Sequence, residues 1–157
     1  NFMEMKETSR LQSPLMVNCD EVGYQVGLPI TAVGRAYLAF CPDAERTEIL
    51  AALGKTGHPA DHLAKNSRKL GETLKVIRTQ GYAMRDNSYL GGNYADSSFF
   101  DDGLNAIAVP LKAPDKVLGC INLLWVRQAV PAEQFIAENF EDLKSAAEEI
   151  VSSYLAG

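Results

Sequence analysis

Length, composition and charge indicate a single globular domain and exclude several classes of function. The 157 residues can bury one sizeable core, and contents of 46% hydrophobic and 22% charged residues are ordinary for a soluble protein. No apolar run approaches the roughly 20 residues that a membrane helix requires. The net charge of −5, with Lys and Arg scattered along the chain, argues against nucleic-acid binding by this chain alone.

The N-terminus and the cysteines indicate where the protein works. The chain begins with Asn1 and already shows a strand pattern at Phe2, so we expect it to be a piece of a longer protein. It lacks the basic-then-apolar layout of a signal peptide. Cys19, Cys41 and Cys120 are an odd number of cysteines without CxxC spacing, which favours reduced thiols and a cytoplasmic location.

The first half of the chain predicts short strands followed by helices. Residues 2–8 and 14–18 read as strands, and Val22–Val26 is a third candidate. The helical spacing of apolar residues then predicts two helices, Ala32–Phe40 and Asp43–Leu53, separated by a Cys-Pro pair that ends the first of them.

The second half predicts a long helix, a strand hairpin and a final helix. The long helix is expected over Ala60–Gln80, with Gly81 as its C-cap. The other expected elements are a strand at Tyr82–Met84, a polar loop with aromatic residues over Tyr89–Asp102, strands at Leu104–Leu111 and Val117–Trp125, and a helix over Pro131–Leu155. Strands clustered at both ends of a helical middle favour a mixed α+β fold. We expect a GAF- or profilin-like domain with a largely antiparallel, curved sheet and flanking helices.

The hairpin of apolar strands near the C-terminus predicts one wall of a binding pocket. A hairpin of this kind, entered from a loop and a preceding helix, forms part of a small-molecule pocket in sensor domains. No catalytic constellation accompanies it in the sequence. The chain is therefore predicted to bind a ligand rather than to act as an enzyme, and no cofactor is expected.

Two other patterns do not predict a site. The segment Leu53–Thr56 lacks the earlier Gly of a phosphate-binding loop and follows a helix rather than a strand. His58 and His62 are four residues apart, but a zinc site requires three or four converging ligands, and Pro59 places His58 before the helix. We therefore expect exposed histidines and no metal site.

Four segments of the chain resemble the effector-binding domain of the IclR family of bacterial transcriptional regulators. They occur in the family's order and together span most of the chain from about residue 22. The segments are Leu28–Ala39, Ile77–Tyr82, Ile107–Pro110 and Val117–Asn122. Three further stretches, Asn18–Ile30, Gly34–Pro42 and Leu123–Trp125, are most similar to the MhpR-like subgroup, which controls the breakdown of phenylpropionate and hydroxyphenylpropionate.

The resemblance implies the sensing part of a one-component regulator. Residues 1–157 would bind a small organic effector and form a homodimer or a tetramer, without membrane association. DNA would be bound only through an N-terminal winged helix-turn-helix domain that this chain does not include. The effector-site positions implied by the matching segments are Leu28, Ile30, Ala32, Arg85, Asp86, Leu104, Ala106, Asn122 and Leu124.

Two departures from the family pattern lead to a hypothesis about the ligand. Arg85 replaces a common Asp, and the loop Tyr89–Asp102 is longer and more aromatic than in the family. An Arg that faces a closed apolar pocket needs an anion. We hypothesise that Arg85 binds an effector carboxylate, that Asn122 binds a hydroxyl or the same carboxylate, and that the loop aromatics line the ligand ring. The alternative is that Arg85 points to solvent and pairs with Asp86 or Asp102.

The cysteines and the loop aromatics also allow other classes of function. Cys41 or Cys120 could serve a stand-alone GAF-like redox sensor or enzyme, although both lie in apolar surroundings. A third hypothesis is an oligomerisation module with an empty pocket. The loop aromatics Tyr94, Phe99 and Phe100 could line the pocket, form a lid or make contacts between subunits.

Overall fold

The strands form two antiparallel sheets in the computed structural model, which describes residues 2–8, 22–95, 97 and 100–157. The first sheet pairs β1 (Phe2–Glu4) with β2 (Gln25–Gly27). The second sheet consists of β3 (Ala83–Met84), β4 (Leu104–Lys112) and β5 (Val117–Val126), in that order. The expected mixed α+β fold with antiparallel strands is confirmed. The strand predicted at 14–18 lies outside the described residues.

The first and the last of the described helices make the main packing contacts with the second sheet. The helices are α1 (Ala32–Phe40), α2 (Asp43–Leu53), a 3₁₀ helix (Pro59–Lys65), α3 (Ser67–Gln80) and α4 (Ala132–Ala156). The bounds of α1 and α2 are as predicted. No helix among the described residues is both long enough and apolar enough to cross a membrane.

The predicted helix Ala60–Gln80 is wrong in its first third. Asn66, with φ −105° and ψ 76°, separates the 3₁₀ helix from α3. Its side-chain oxygen accepts a hydrogen bond from the backbone N–H of Lys69, which is the geometry of a helix N-cap. The helical spacing of apolar residues does not reveal such a break because the spacing continues across it. The predicted C-cap is confirmed, since Gly81 takes a left-handed conformation with φ 86°.

The two faces of β4 pack against different helices. Ala106 and Ala108 belong to a cluster with residues of α1 and α3, whereas Ile107 and Val109 belong to a cluster with residues of α4. This follows from the two-residue period of a strand. Strand β4 thus lies between α1 and α4. Its side chains are small on the α1 face and branched on the α4 face, which leaves more room on the α1 face.

Helix α1 packs very closely against the segment that precedes it. A Cβ atom built on Gly34 would lie 2.3 Å from the carbonyl oxygen of Leu28 and 2.4 Å from its Cα atom. Thr31 fixes the same corner, because its hydroxyl donates to the carbonyl of Gly27 at 2.7 Å and accepts from the N–H of Gly34 at 3.2 Å. A glycine at position 34 is thus required by close packing.

We predict opposite effects for two Gly→Ala substitutions in helices. Gly34→Ala should lower the free energy of unfolding by about 1–3 kcal/mol, because the Leu28 backbone cannot move aside easily. Gly71→Ala in α3, where nothing lies within 4 Å of the added Cβ, should raise it by about 1 kcal/mol through helix propensity. Urea denaturation of both variants measures this difference, and a stable Gly34→Ala variant would contradict the close packing.

Candidate functional site

A cavity of about 560 Å³ lies on the α1 face of the second sheet. The β4–β5 hairpin forms one wall, and β1 with the residues that follow it forms another. The structure brings together six of the residues predicted for the effector site. They are Ala32, Arg85, Leu104, Ala106, Asn122 and Leu124. Alternation along the strands explains the last four, because Ala106 pairs with Leu124 and Ala108 pairs with Asn122 on one face of the sheet.

The other three predicted residues lie elsewhere. Leu28 is part of the hydrophobic core. Ile30 lines a second, neighbouring cavity. Asp86 lies 3.7 Å from Arg35 and accepts hydrogen bonds from the hydroxyl and the N–H of Ser88. Burial alone would raise the pKa of Asp86, but the Ser88 hydrogen bonds and the Arg35 charge outweigh it, so the pKa lies below its usual value.

Sequence reasoning missed the wall formed by the N-terminal segment. All residues of Phe2–Glu7 line the cavity, together with Tyr24 and Val26 from the neighbouring strand. A signal was present in the sequence, since Met3 and Met5 alternate with charged residues and such a strand needs a surface to cover. Which surface it covers depends on the tertiary structure.

Arg85 and Asp102 form a buried ion pair in the cavity wall. The guanidinium donates two parallel hydrogen bonds to the carboxylate, at 2.9 and 3.0 Å, and a third to the carbonyl of Leu104. The side chains are only 8% and 11% exposed. Arg85 therefore pairs with Asp102, as the alternative hypothesis predicted. The same hypothesis is wrong about the location of Arg85, which is buried and does not point to solvent. The anion that Arg85 needs is supplied by the chain itself.

Two tyrosines of the loop 89–102, Tyr89 and Tyr94, hold its described part in place. Near Arg85, the guanidinium carbon lies 4.7 Å from the centre of the Tyr89 ring, and the Tyr89 hydroxyl donates to the carbonyl of Gly92. Further along, the hydroxyl of Tyr94 donates to the fully buried carboxylate of Asp61 at 2.8 Å. Burial and this hydrogen bond raise the pKa of Tyr94 to about 12. Of the loop aromatics, Phe100 lines the cavity, and Phe99 lies outside the described residues.

The first turn of α1 gives the cavity a region that favours negative charge. Thr31, Ala32 and Val33 line the cavity, and this turn contains no acidic residue. Backbone N–H groups at a helix N-terminus carry a partial positive charge and bind carboxylates and phosphates. Asn122 on β5 adds an amide that can both donate and accept hydrogen bonds.

The described residues contain no metal-binding group of three or more His, Cys, Asp or Glu side chains. They do contain a Ser–His contact, with Ser97 Oγ at 3.0 Å from His58 Nε2. Nδ1 of His58 accepts a hydrogen bond from the N–H of Ala60, and Nε2 lies 3.0 Å from the carbonyl of Tyr94. This tautomer carries its proton on Nε2, so His58 cannot remove a proton from Ser97.

Both described cysteines are poorly suited to redox chemistry. Burial raises the pKa of the Cys41 thiol, and the pKa of Cys120 is raised strongly for the same reason. The thiolate is the reactive form of cysteine, and burial in apolar surroundings suppresses it. The redox hypothesis therefore finds no support in the environment of these two residues.

Comparison with known families identifies the chain. Residues 8–152 match the family described as bacterial transcriptional regulator IclR C-terminal. The chain therefore belongs to the IclR family and corresponds to the C-terminal, effector-binding domain of these regulators. The resemblance found in the sequence is confirmed.

Solved structures of similar fold agree with this assignment. IclR from Thermotoga maritima is 27% identical, with a TM-score of 0.62, and the alignment covers 87% of this chain and 50% of that one. The C-terminal domain of KdgR from Escherichia coli is 23% identical over 83% of this chain and 73% of its own, with a TM-score of 0.61. A double mutant of the PobR inducer-binding domain from Acinetobacter, in complex with 3-hydroxybenzoic acid, is 20% identical over 88% and 75%, with a TM-score of 0.60. This chain thus spans about half the length of the Thermotoga protein.

We predict that the Arg85–Asp102 pair is important for stability. Arg85→Ala leaves a buried carboxylate without its counter-charge and should lower the free energy of unfolding by about 3–5 kcal/mol. Arg127→Ala is the control, because Arg127 donates from one nitrogen to both oxygens of the exposed Asp101 carboxylate, and its loss should cost far less. Adding Asp102→Asn to Arg85→Ala should recover part of the loss. Equal losses for the two arginine variants in urea denaturation would refute this prediction.

We also predict that Cys41 and Cys120 are unreactive in the folded protein. Iodoacetamide should modify both thiols much more slowly in buffer than in urea, because only the unfolded state lets them ionise normally. Peptide mass spectrometry after timed quenching reports each cysteine separately. Rapid labelling of either residue in buffer would revive the redox hypothesis.

Proposed function

We propose that this chain senses a small aromatic or phenylpropanoid-type carboxylic acid, which it binds in the 560 Å³ cavity. The observation that carries the proposal is the cavity itself. Its volume lies within the range of roughly 300–1,000 Å³ that is typical of small-molecule sites. Its walls combine apolar side chains with a few polar groups, which is the usual composition of such sites.

The acid group is best accommodated at the first turn of α1. The N–H groups of this turn favour an anion, and no acidic residue in the turn competes with it. Arg85 is a weaker candidate than the sequence suggested, because a ligand carboxylate would have to displace Asp102 from two hydrogen bonds. We assign Arg85 the role of holding the loop, and Asn122 the role of binding a hydroxyl of the ligand.

The aromatic part of the ligand is supported by three features. Leu104, Leu124 and Phe100 supply apolar contact surface in the cavity. The PobR inducer-binding domain, which shares the fold, was solved with an aromatic acid. The similarity of three sequence stretches to the MhpR-like regulators points to arylpropionates. Together these features favour a hydroxylated benzoate or phenylpropionate over an aliphatic acid.

Signalling in the whole protein would then proceed by a population shift. We infer that a winged helix-turn-helix domain precedes this chain and that homodimers or tetramers form. Because Phe2–Glu7 lines the cavity, a bound acid touches the segment that would lead to such a domain. The acid would favour one arrangement of the DNA-binding domains only to the extent that it binds that arrangement more tightly.

We predict acid binding that depends on Asn122. A saturating hydroxyphenylpropionate or 3-hydroxybenzoate, at about 100 times its Kd, should raise the free energy of unfolding by about 2.7 kcal/mol and Tm by several degrees. Asn122→Leu should weaken binding by roughly 2- to 12-fold through the loss of a hydrogen bond. Asn105→Leu is the matched control, because Asn105 lies on the neighbouring strand and pairs with Trp125 on the opposite face of the hairpin.

Thermal shift and isothermal titration calorimetry measure both effects. Equal affinities of the two asparagine variants would remove the assigned role of Asn122. The absence of a shift with every aromatic acid, and with aliphatic acids as a comparison, would refute the acid-sensing proposal and favour the oligomerisation hypothesis.

A further inference from the structure

A second cavity, of about 460 Å³, lies beside the first. The two cavities have Tyr89 and Phe100 in common, so that these two rings form a shared wall. We propose that the second cavity is a separate binding site for a small, uncharged aromatic molecule that carries a hydroxyl group, for which phenol is the simplest probe.

The charges around the second cavity are already paired. Asp101, which lines it, receives two hydrogen bonds from Arg127, at 2.9 and 3.0 Å. Asp86, adjacent to the lining residue Ser88, faces Arg35. An ionic ligand would therefore have to compete with an existing partner, and an uncharged ligand would not. The first cavity differs, because the start of α1 contributes backbone N–H groups to its wall.

The polar groups of the second cavity are acceptors. The carbonyl of Pro59 lies 2.9 Å from Nδ1 of His62, so this nitrogen must carry the proton that the carbonyl accepts. In the neutral ring, Nε2 then presents a lone pair. The hydroxyl of Ser88 donates to Asp86 at 2.6 Å, which leaves its oxygen lone pairs to accept. Two acceptors in one cavity favour a ligand with an O–H donor.

The remaining lining of the second cavity is apolar and aromatic. Ile30 and Ala60 contribute buried side chains, whereas Leu90 and Phe100 are exposed. With the two shared rings, they provide a surface that suits the face and edge of a single aromatic ring. A molecule with one ring and one hydroxyl matches both the apolar lining and the acceptors.

The shared wall would couple the two sites. Tyr89 is only 8% exposed, and its ring is held by the Arg85 guanidinium on the side of the first cavity. A ligand in the second cavity contacts the same ring from the other cavity. Any shift of Tyr89 therefore alters both sites, and thermodynamic linkage requires that each ligand changes the affinity of the other by the same factor.

The test is a titration of the 157-residue chain with phenol and, in parallel, with toluene, in mildly alkaline buffer. Amide chemical shifts in two-dimensional NMR locate the binding site, and their saturation gives the affinity. We expect the changes to concentrate in Pro59–His62 and Ser88–Leu90. His62→Phe keeps a ring and removes its nitrogens, and should weaken phenol binding by roughly 2- to 12-fold while leaving toluene unaffected. Asn105→Leu, on the opposite face of the β4–β5 hairpin, should change the affinity for neither ligand.

Three results would overturn the proposal. The absence of saturable shift changes up to the solubility limit of phenol would refute the proposed site. Shift changes confined to the first cavity, together with sensitivity to Asn122→Leu, would show phenol to be a weak ligand of the acid site instead. An equal effect of His62→Phe on phenol and toluene would refute the recognition of a hydroxyl group by this cavity. The proposed acid sensing is tested separately with the acids and does not depend on this outcome.

Discussion

The buried ion pair between Arg85 and Asp102 is the contact on which the cavity wall depends. It joins the residue after β3 to the last part of the long loop, and Asp102 also accepts from the N–H of Leu104, where β4 begins. The N–H of Asp102 donates to the carbonyl of Leu90, and this hydrogen bond joins the two ends of the loop. Because both charges are almost fully buried, neither can leave without exposing the other to an apolar environment. The described ends of this loop are therefore fixed against the sheet.

A second constraint is the asymmetry of β4. Its alanines at 106 and 108 face α1, and its branched residues at 107 and 109 face α4. Tight packing on the α4 side, which includes a stack of Trp125 and Phe135 at 4.1 Å between ring centres, anchors the sheet. The small side chains on the other side leave volume that the neighbouring elements do not fill completely. One strand thus contributes both to the stability of the domain and to the space for a ligand.

Two attachments hold the described part of the loop 89–102, which contributes Tyr89 and Phe100 to both cavities. The Arg85–Asp102 pair attaches it to the sheet, and Tyr94 attaches it to the 3₁₀ helix through Asp61. Thr56 donates to the same oxygen of Asp61 at 2.6 Å, so the carboxylate is shared by two hydroxyls. The N–H of Tyr94 also donates to the carbonyl of Gln25 in β2. A ligand in either cavity would consequently contact Tyr89 and Phe100, and the position of this loop segment depends on its contacts with the sheet, β2 and the 3₁₀ helix.

The sequence by itself determined the local elements and much of the first cavity. Apolar spacing located α1, α2 and the β4–β5 hairpin, and strand alternation put Leu104 and Ala106 on one face, because these patterns depend only on neighbours in the chain. The tertiary structure alone decided the rest. Arg85 and Asp102 are separated by a long loop, and Phe2–Glu7 reaches the cavity only when β1 pairs with β2. Those contacts join segments far apart in the chain, and no local periodicity encodes which partner a buried charge or an apolar strand will find.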